Sequence, residues 1–96
     1  MILHTLNASP SSSAFTDCLK TIAEGDAVVL MGDGVYAAIA HTDASKVLED
    51  TDARLYIMTV DALAAGVVNL SGAISGIDMN GFVTLTEEFS RQQAWY

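Results

Sequence analysis

Apolar residues fall in two rhythms along this chain. Ile2 to Leu6, Ala27 to Met31 and Arg54 to Thr59 are short, largely continuous runs set between turn residues. Ala27-Val28-Val29-Leu30-Met31 lies between Gly25 and Gly32 and is rich in β-branched residues. Its pattern predicts a strand buried on both faces, as in a parallel sheet covered by helices. Ile2–Leu6 and Arg54–Thr59 read as two further strands. The other rhythm is helical. Phe15, Leu19 and Ile22 recur at i, i+4 and i+7, with Cys18 on the same stripe, which predicts one amphipathic helix.

That first helix has its stop and start signals in place. Ser9 before Pro10 is a candidate N-cap, with Ser11, Ser12 or Ser13 as alternatives. The helix is expected to run to about Ala23 and to stop at Gly25. After the second strand, Gly32-Asp33-Gly34 reads as a turn, and the alanine-rich segment from Val35 as a short helix fading near His41. Thr42 to Asp52 reads as polar and irregular, with one turn around Lys46 to Glu49. Asp61 is expected to cap a short helix, Ala62–Ala65, ended by Gly66.

Val67 to Gly76 favours loop, and Ile74 to Asp78 a short fourth strand. Asp78 or Asn80 can cap a last helix to about Phe89, with Phe82, Leu85 and Phe89 inward. Ser90 to Tyr96 reads as a tail. Strands alternating with helices predict an α/β layer fold, a small and mostly parallel sheet flanked by helices, in one domain spanning residues 1–96.

Composition sharpens the picture. The chain has 96 residues, 51% of them apolar and only 17% charged. That is rich for a small soluble monomer, so an oligomeric interface is expected. The net charge of −8 argues against direct binding to nucleic acid, which needs a basic surface. No uninterrupted apolar stretch reads as a membrane span, and no signal peptide is legible. A single cysteine excludes an internal disulfide and fits a reducing cytoplasm. No cysteine–histidine cluster has zinc spacing, and no metal or cofactor is expected.

Few residues are candidates for chemistry. Cys18 is the one strong nucleophile, and a redox or sulfur-relay role would need an exposed thiolate. Its stripe position favours instead a small hydrophobe in the core. Asp33 and Gly34 occupy the loop at a strand C-terminus, where sites form in such sheets. Asp33 there orients a ligand or, the favoured reading, accepts backbone N–H groups at the start of the next helix. Gly32-Asp33-Gly34 is a weak match to a dinucleotide fingerprint, and an acidic loop disfavours phosphate. His4 reads as a satisfied core histidine. Tyr36 and Trp95 are large amphipathic side chains that either anchor interfaces or fill the domain's own core. The core is favoured for Tyr36. No catalytic constellation assembles from these residues.

Several stretches taken together resemble the TusB/DsrH family of sulfur relay subunits. They are ILHTLNASP (Ile2–Pro10), CLK (Cys18–Lys20), EGDAVVLMGDGVYAA (Glu24–Ala38), LYIMTVDALAAG (Leu55–Gly66), IDMNGFVTLTEE (Ile77–Glu88) and QAWY (Gln93–Tyr96). They cover nearly the whole chain in order. The resemblance implies a DsrE/F-like fold and a heterohexamer with TusC/DsrF-like and TusD/DsrE-like subunits. It implies transfer of persulfide sulfur among TusA-like and TusE/DsrC-like carriers, ending in 2-thiolation of a tRNA wobble uridine. In a Dsr setting the same architecture serves sulfur oxidation. The persulfide cysteine of this family lies on the TusD/DsrE subunit, after its third strand. The corresponding region here, about Met58 to Asp61, has no cysteine. Cys18 matches a cysteine of DsrH and of some TusB proteins, which leaves it an accessory thiol or a direct sulfur acceptor.

Overall fold

The structure, a computed structural model, describes residues 1–96. Five strands form one sheet: β1 (Ile2–Leu6), β2 (Ala27–Leu30), β3 (Arg54–Met58), β4 (Ser75–Ile77) and β5 (Arg91–Trp95). Their order is β4-β3-β2-β1-β5, and every neighbouring pair is parallel. Four α-helices connect them: α1 (Ser13–Thr21), α2 (Asp43–Glu49), α3 (Thr59–Ala64) and α4 (Met79–Glu88). A 3-10 segment, Gly32–Ala38, leaves β2. The α/β layer fold read from the sequence is the fold of the chain.

Side-chain parity along the strands sorts the core into two layers. Val28, Leu30, Leu55, Ile57 and Leu6 point to one face, where Phe15 and Cys18 of α1, Leu48 of α2 and Ala62 of α3 cover them. Leu3, Ala27, Val29 and Met58 point to the other, where Leu85 and Phe89 of α4 meet them. The central strand β2 is buried at all four positions because both layers need it. The second face is thinly covered for a geometric reason. The other helices lie between strands that neighbour in the sheet, whereas α4 leads from β4 at one edge to β5 at the opposite edge. Ten residues of helix reach about 15 Å, and five strands span about 19 Å between the outer two. One helix crossing obliquely therefore serves that whole face, with Arg54 bonded to Glu88 and stacked over Phe89 at 5.2 Å.

Four local readings differ from the sequence expectation. Ser90–Tyr96 is not a tail: Arg91 to Trp95 pair with Ile2 to Leu6 as the fifth strand. Gln92, Gln93 and Ala94 are exposed, so no hydrophobic pattern announces an edge strand whose hold is the backbone ladder and one indole. The segment around Thr42–Asp52 contains a true helix, capped by Thr42, whose side chain accepts from the Ser45 N–H at 3.2 Å. Only Ser45 and Leu48 on it are buried, too few to write a stripe. The alanine-rich segment begins at Gly32 rather than Val35 and winds as a 3-10 helix. Asp61 does not cap α3. It sits inside the first turn, with Met58 at the N-cap.

Gly34 explains the tight winding. A Cβ there would lie 2.1 Å from the Leu6 carbonyl oxygen, so only glycine lets the 3-10 segment press against the end of β1. The Gly34 N–H meanwhile bonds the Met31 carbonyl at 2.9 Å. Gly34→Ala is expected to destabilise the fold by about 3 kcal/mol, because backbone must move to admit one methyl group. Urea unfolding of variant and parent measures it, and an unchanged midpoint would refute the close approach.

Candidate functional site

The loops that leave the strand C-termini converge on the 3-10 segment. The Gly32 N–H, unpaired within its own segment, donates to Asp61 Oδ2 of α3 at 2.9 Å. Met31 takes the N-cap position with no side-chain cap, and the Met31 N–H bonds the Leu6 carbonyl at 3.1 Å. The loops after β1, β2 and β3 are thus joined by hydrogen bonds. Asp61 performs the backbone-capping role expected of Asp33. Asp33 itself stands exposed in the first turn, its carboxylate directed to solvent. Sequence reasoning missed this role of Asp61 because its partner is 29 residues away, beyond the reach of any local cap pattern.

Cys18 sits elsewhere, beneath α1, and is fully buried within the larger core layer. Burial pushes its thiol up from the usual value to about 12. A thiol nucleophile needs a nearby cation or helix N-terminus to hold the thiolate, and the surroundings of Cys18 are apolar. Lys20, two positions on, is exposed. In this structure the Cys18 sulfur is protonated and packed.

Tyr36, favoured for the core, is 43% exposed on the 3-10 segment. Trp95 is half-buried and occupied internally. Its indole Nε1 donates to His4 Nδ1 at 3.1 Å, and the two rings stack with centroids 6.2 Å apart. Indole can only donate, so His4 Nδ1 accepts and Nε2 carries the proton. Nε2 then donates to Asp26 Oδ2 at 2.8 Å. Asp26 also accepts the Ala23 N–H at 3.0 Å and the Ile2 N–H at 2.9 Å. His4 and Asp26 are buried, and every buried side-chain polar atom has a partner. This chain of bonds is structural. It starts from Asp26 at the entrance to β2, passes His4 in the middle of β1 and ends on Trp95, the last residue of β5.

Two hollows open on the surface. A polar cleft of about 290 Å³ is lined by His41, Lys46, Glu49 and Ser71, among others. An apolar groove of about 350 Å³ lies between α1 and α2, with Phe15, Leu19 and Val47 in its walls. Neither includes Asp33, Asp61 or Cys18. No cluster of histidine, cysteine and carboxylate side chains is placed to hold a metal ion, and no helix is long and apolar enough to cross a membrane.

The pH dependence of folding should report on Asp26. Burial alone would raise its carboxyl, but the hydrogen bonds from His4 and from the Ala23 and Ile2 N–H groups outweigh it and hold the carboxyl below its usual range. In the unfolded chain it returns to about 3.9. Its contribution is therefore complete above about pH 4 and is lost as pH falls towards the depressed folded value. Asp26→Asn places its amide N–H groups against the Ile2 N–H in one orientation and against the His4 and Ala23 donors in the other, and is expected to cost about 3 kcal/mol at pH 7. Urea titrations from pH 7 to pH 3 should show a flatter acid limb for the variant than for the parent; parallel limbs would refute the assignment.

Thiol accessibility is a separate check. Cys18 should resist an aromatic disulfide reagent in the native protein and react fully in guanidinium chloride. Rapid labelling of the folded chain would contradict its burial.

Comparison with known proteins adds the lineage. The family model described as DsrH like protein matches residues 8–92. Protein TusB of Pectobacterium parmentieri is 40% identical over 95 residues, covering 98% of this chain and all of the relative. Protein TusB of Shigella dysenteriae is 36% identical with the same coverage. Among solved structures, the Escherichia coli ychN protein aligns with a TM-score of 0.74 at 12% identity, over 98% of this chain and 97% of that one. Protein Tm0979 from Thermotoga maritima aligns with a TM-score of 0.71 at 21% identity, over 92% and 93%. These two likenesses concern the fold. The family match and the near-complete coverage of the TusB relatives together place the chain in the TusB/DsrH family of sulfur relay-type subunits.

Proposed function

We propose that this chain is a scaffold subunit of a cytoplasmic sulfur relay complex of the TusBCD type. The complex supports persulfide transfer for 2-thiolation of a tRNA wobble uridine. The observation that carries the reading is the state of Cys18. The sole cysteine of a TusB relative lies fully buried, with its thiol raised to about 12. A chain with no available thiolate cannot accept persulfide sulfur at neutral pH, so the carrier cysteine belongs to a partner. TusC-like and TusD-like subunits are the partners, and TusA-like and TusE-like carriers reach the chain only through them. The acidic balance of the chain fits a subunit that leaves tRNA contact to others.

Co-expression with the TusC-like and TusD-like proteins of the same genome tests the assembly. The three are expected to elute together, with the lone chain aggregated or poorly soluble. A well-behaved monomer indifferent to both relatives would overturn the proposal. Mass spectrometry after exposure of the complex to a persulfide donor tests the division of labour. One added sulfur is expected on the TusD-like subunit and none on this chain. A sulfur adduct on this chain, abolished by Cys18→Ser, would make it a carrier and not a scaffold.

A further inference from the structure

Helix α3 presents apolar side chains to water. Val60 and Leu63 are 67% and 77% exposed, and they lie three apart, on one side of the helix. The neighbouring 3-10 segment, which packs against α3, leaves Tyr36 exposed at the same end of the sheet. An outward helix face in a domain that works alone is normally polar, and a clustered apolar exposure marks a contact site.

The charge around this patch has one sign. Asp33 and Asp61 flank it, and Asp78 caps α4 at the same end of the sheet. No lysine or arginine lies on α3, on the 3-10 segment or in the turn before α4. Arg54 and Arg91 open β3 and β5, and Lys20 and Lys46 occupy the last turns of α1 and α2, which lead back to strand beginnings. We propose that the Val60–Leu63 face of α3 docks a different protein subunit, one whose apolar contact is ringed by lysine or arginine.

A second copy of this chain does not fit. Symmetric pairing would set Asp33 and Asp61 against themselves, and like charges across an interface are costly. Head-to-tail pairing fares no better. Arg54 is already bonded to Glu88, and Glu24, Asp50 and Asp52 accompany the remaining cations at that end. The occupant is thus basic where this chain is acidic. The inference rests on the relay reading above and assigns the face through which the subunit joins its complex.

The test uses the co-expressed complex, purified through a tag on the TusD-like subunit, with retained chain quantified at low and high salt. Wild-type chain should be retained, less so as salt rises. Leu63→Lys should lower retention about tenfold, as expected for loss of a central apolar anchor. Leu63→Ser, which adds no charge, should lower it less, and Asp33→Lys should weaken it and reduce its salt dependence. Thr21→Lys, exposed at the end of α1, should leave it unchanged. Leu63 is mostly exposed, and matching circular dichroism spectra would show that the variants fold. Undiminished retention of both Leu63 variants overturns this surface and leaves the relay reading standing. Failure to retain the wild-type chain overturns the relay reading and this surface with it.

Discussion

A carboxylate in the interior is the constraint to which much of this structure answers. Asp26 is buried at the entrance to β2, where an unpartnered charge would cost several kcal/mol. Its donors come from three places: the first peptide N–H of β1, the end of the first helical connection at Ala23, and the His4 ring. Each donor is a separate piece of chain that must arrive together with the others. Gly25, at φ +89°, makes the turn that aims Ala23 back at the carboxylate. The bond then passes through His4 to Trp95, so the last strand is tied to a charge set almost seventy residues earlier. A polar network of this kind is favourable only when every member is satisfied, and here every member is.

The two ends of the parallel sheet are consequently unlike. At the amino-terminal end the buried carboxylate of Asp26 is satisfied internally, and the exposed groups are of both signs, Arg54, Arg91 and Lys20 beside Glu24, Asp50 and Asp52. At the carboxy-terminal end the 3-10 segment and α3 share the larger core layer and are joined by the bond from Gly32 to Asp61, while Asp33, Tyr36, Val60 and Leu63 face outward. The carboxy-terminal end is thus the one where exposed apolar side chains stand among acids without a lysine or arginine. The crossing of α4 adds a second asymmetry, with one face of the sheet covered by several helices and the other by one.

For a TusB/DsrH family member these features favour a supporting role. The thiol that chemistry would require is packed between helix and sheet, away from any cation that would stabilise its anion. Apolar groups that would complete a larger core are instead displayed. The proposed division, with reactive sulfur on one subunit and shape and contact surface on another, would let this chain keep a fully satisfied interior. It has no strained or desolvated reactive group to accommodate.

Much of the fold was legible in the residues. β2 was readable because a strand buried on both faces must be apolar at every position. β1 and β3, the stripe of α1 and the Asp78 cap of α4 followed from equally local rules. What escaped was held by partners distant in sequence. β5 is polar on both faces and exists because β1 offers it a backbone edge and His4 a ring for Trp95. The cap at Gly32 belongs to Asp61 because α3 folds against the 3-10 segment, and Gly34 is indispensable only because the Leu6 carbonyl stands above it. Cys18 showed its helix stripe in sequence, but the state of its thiol depends on how completely the core layer closes over it. Local patterning thus determined which segments became strands and helices, since burial of a face writes a period into the chain. Tertiary contact decided which polar groups were spent inside and which were left exposed, since hydrogen bonds between distant segments leave no period at all.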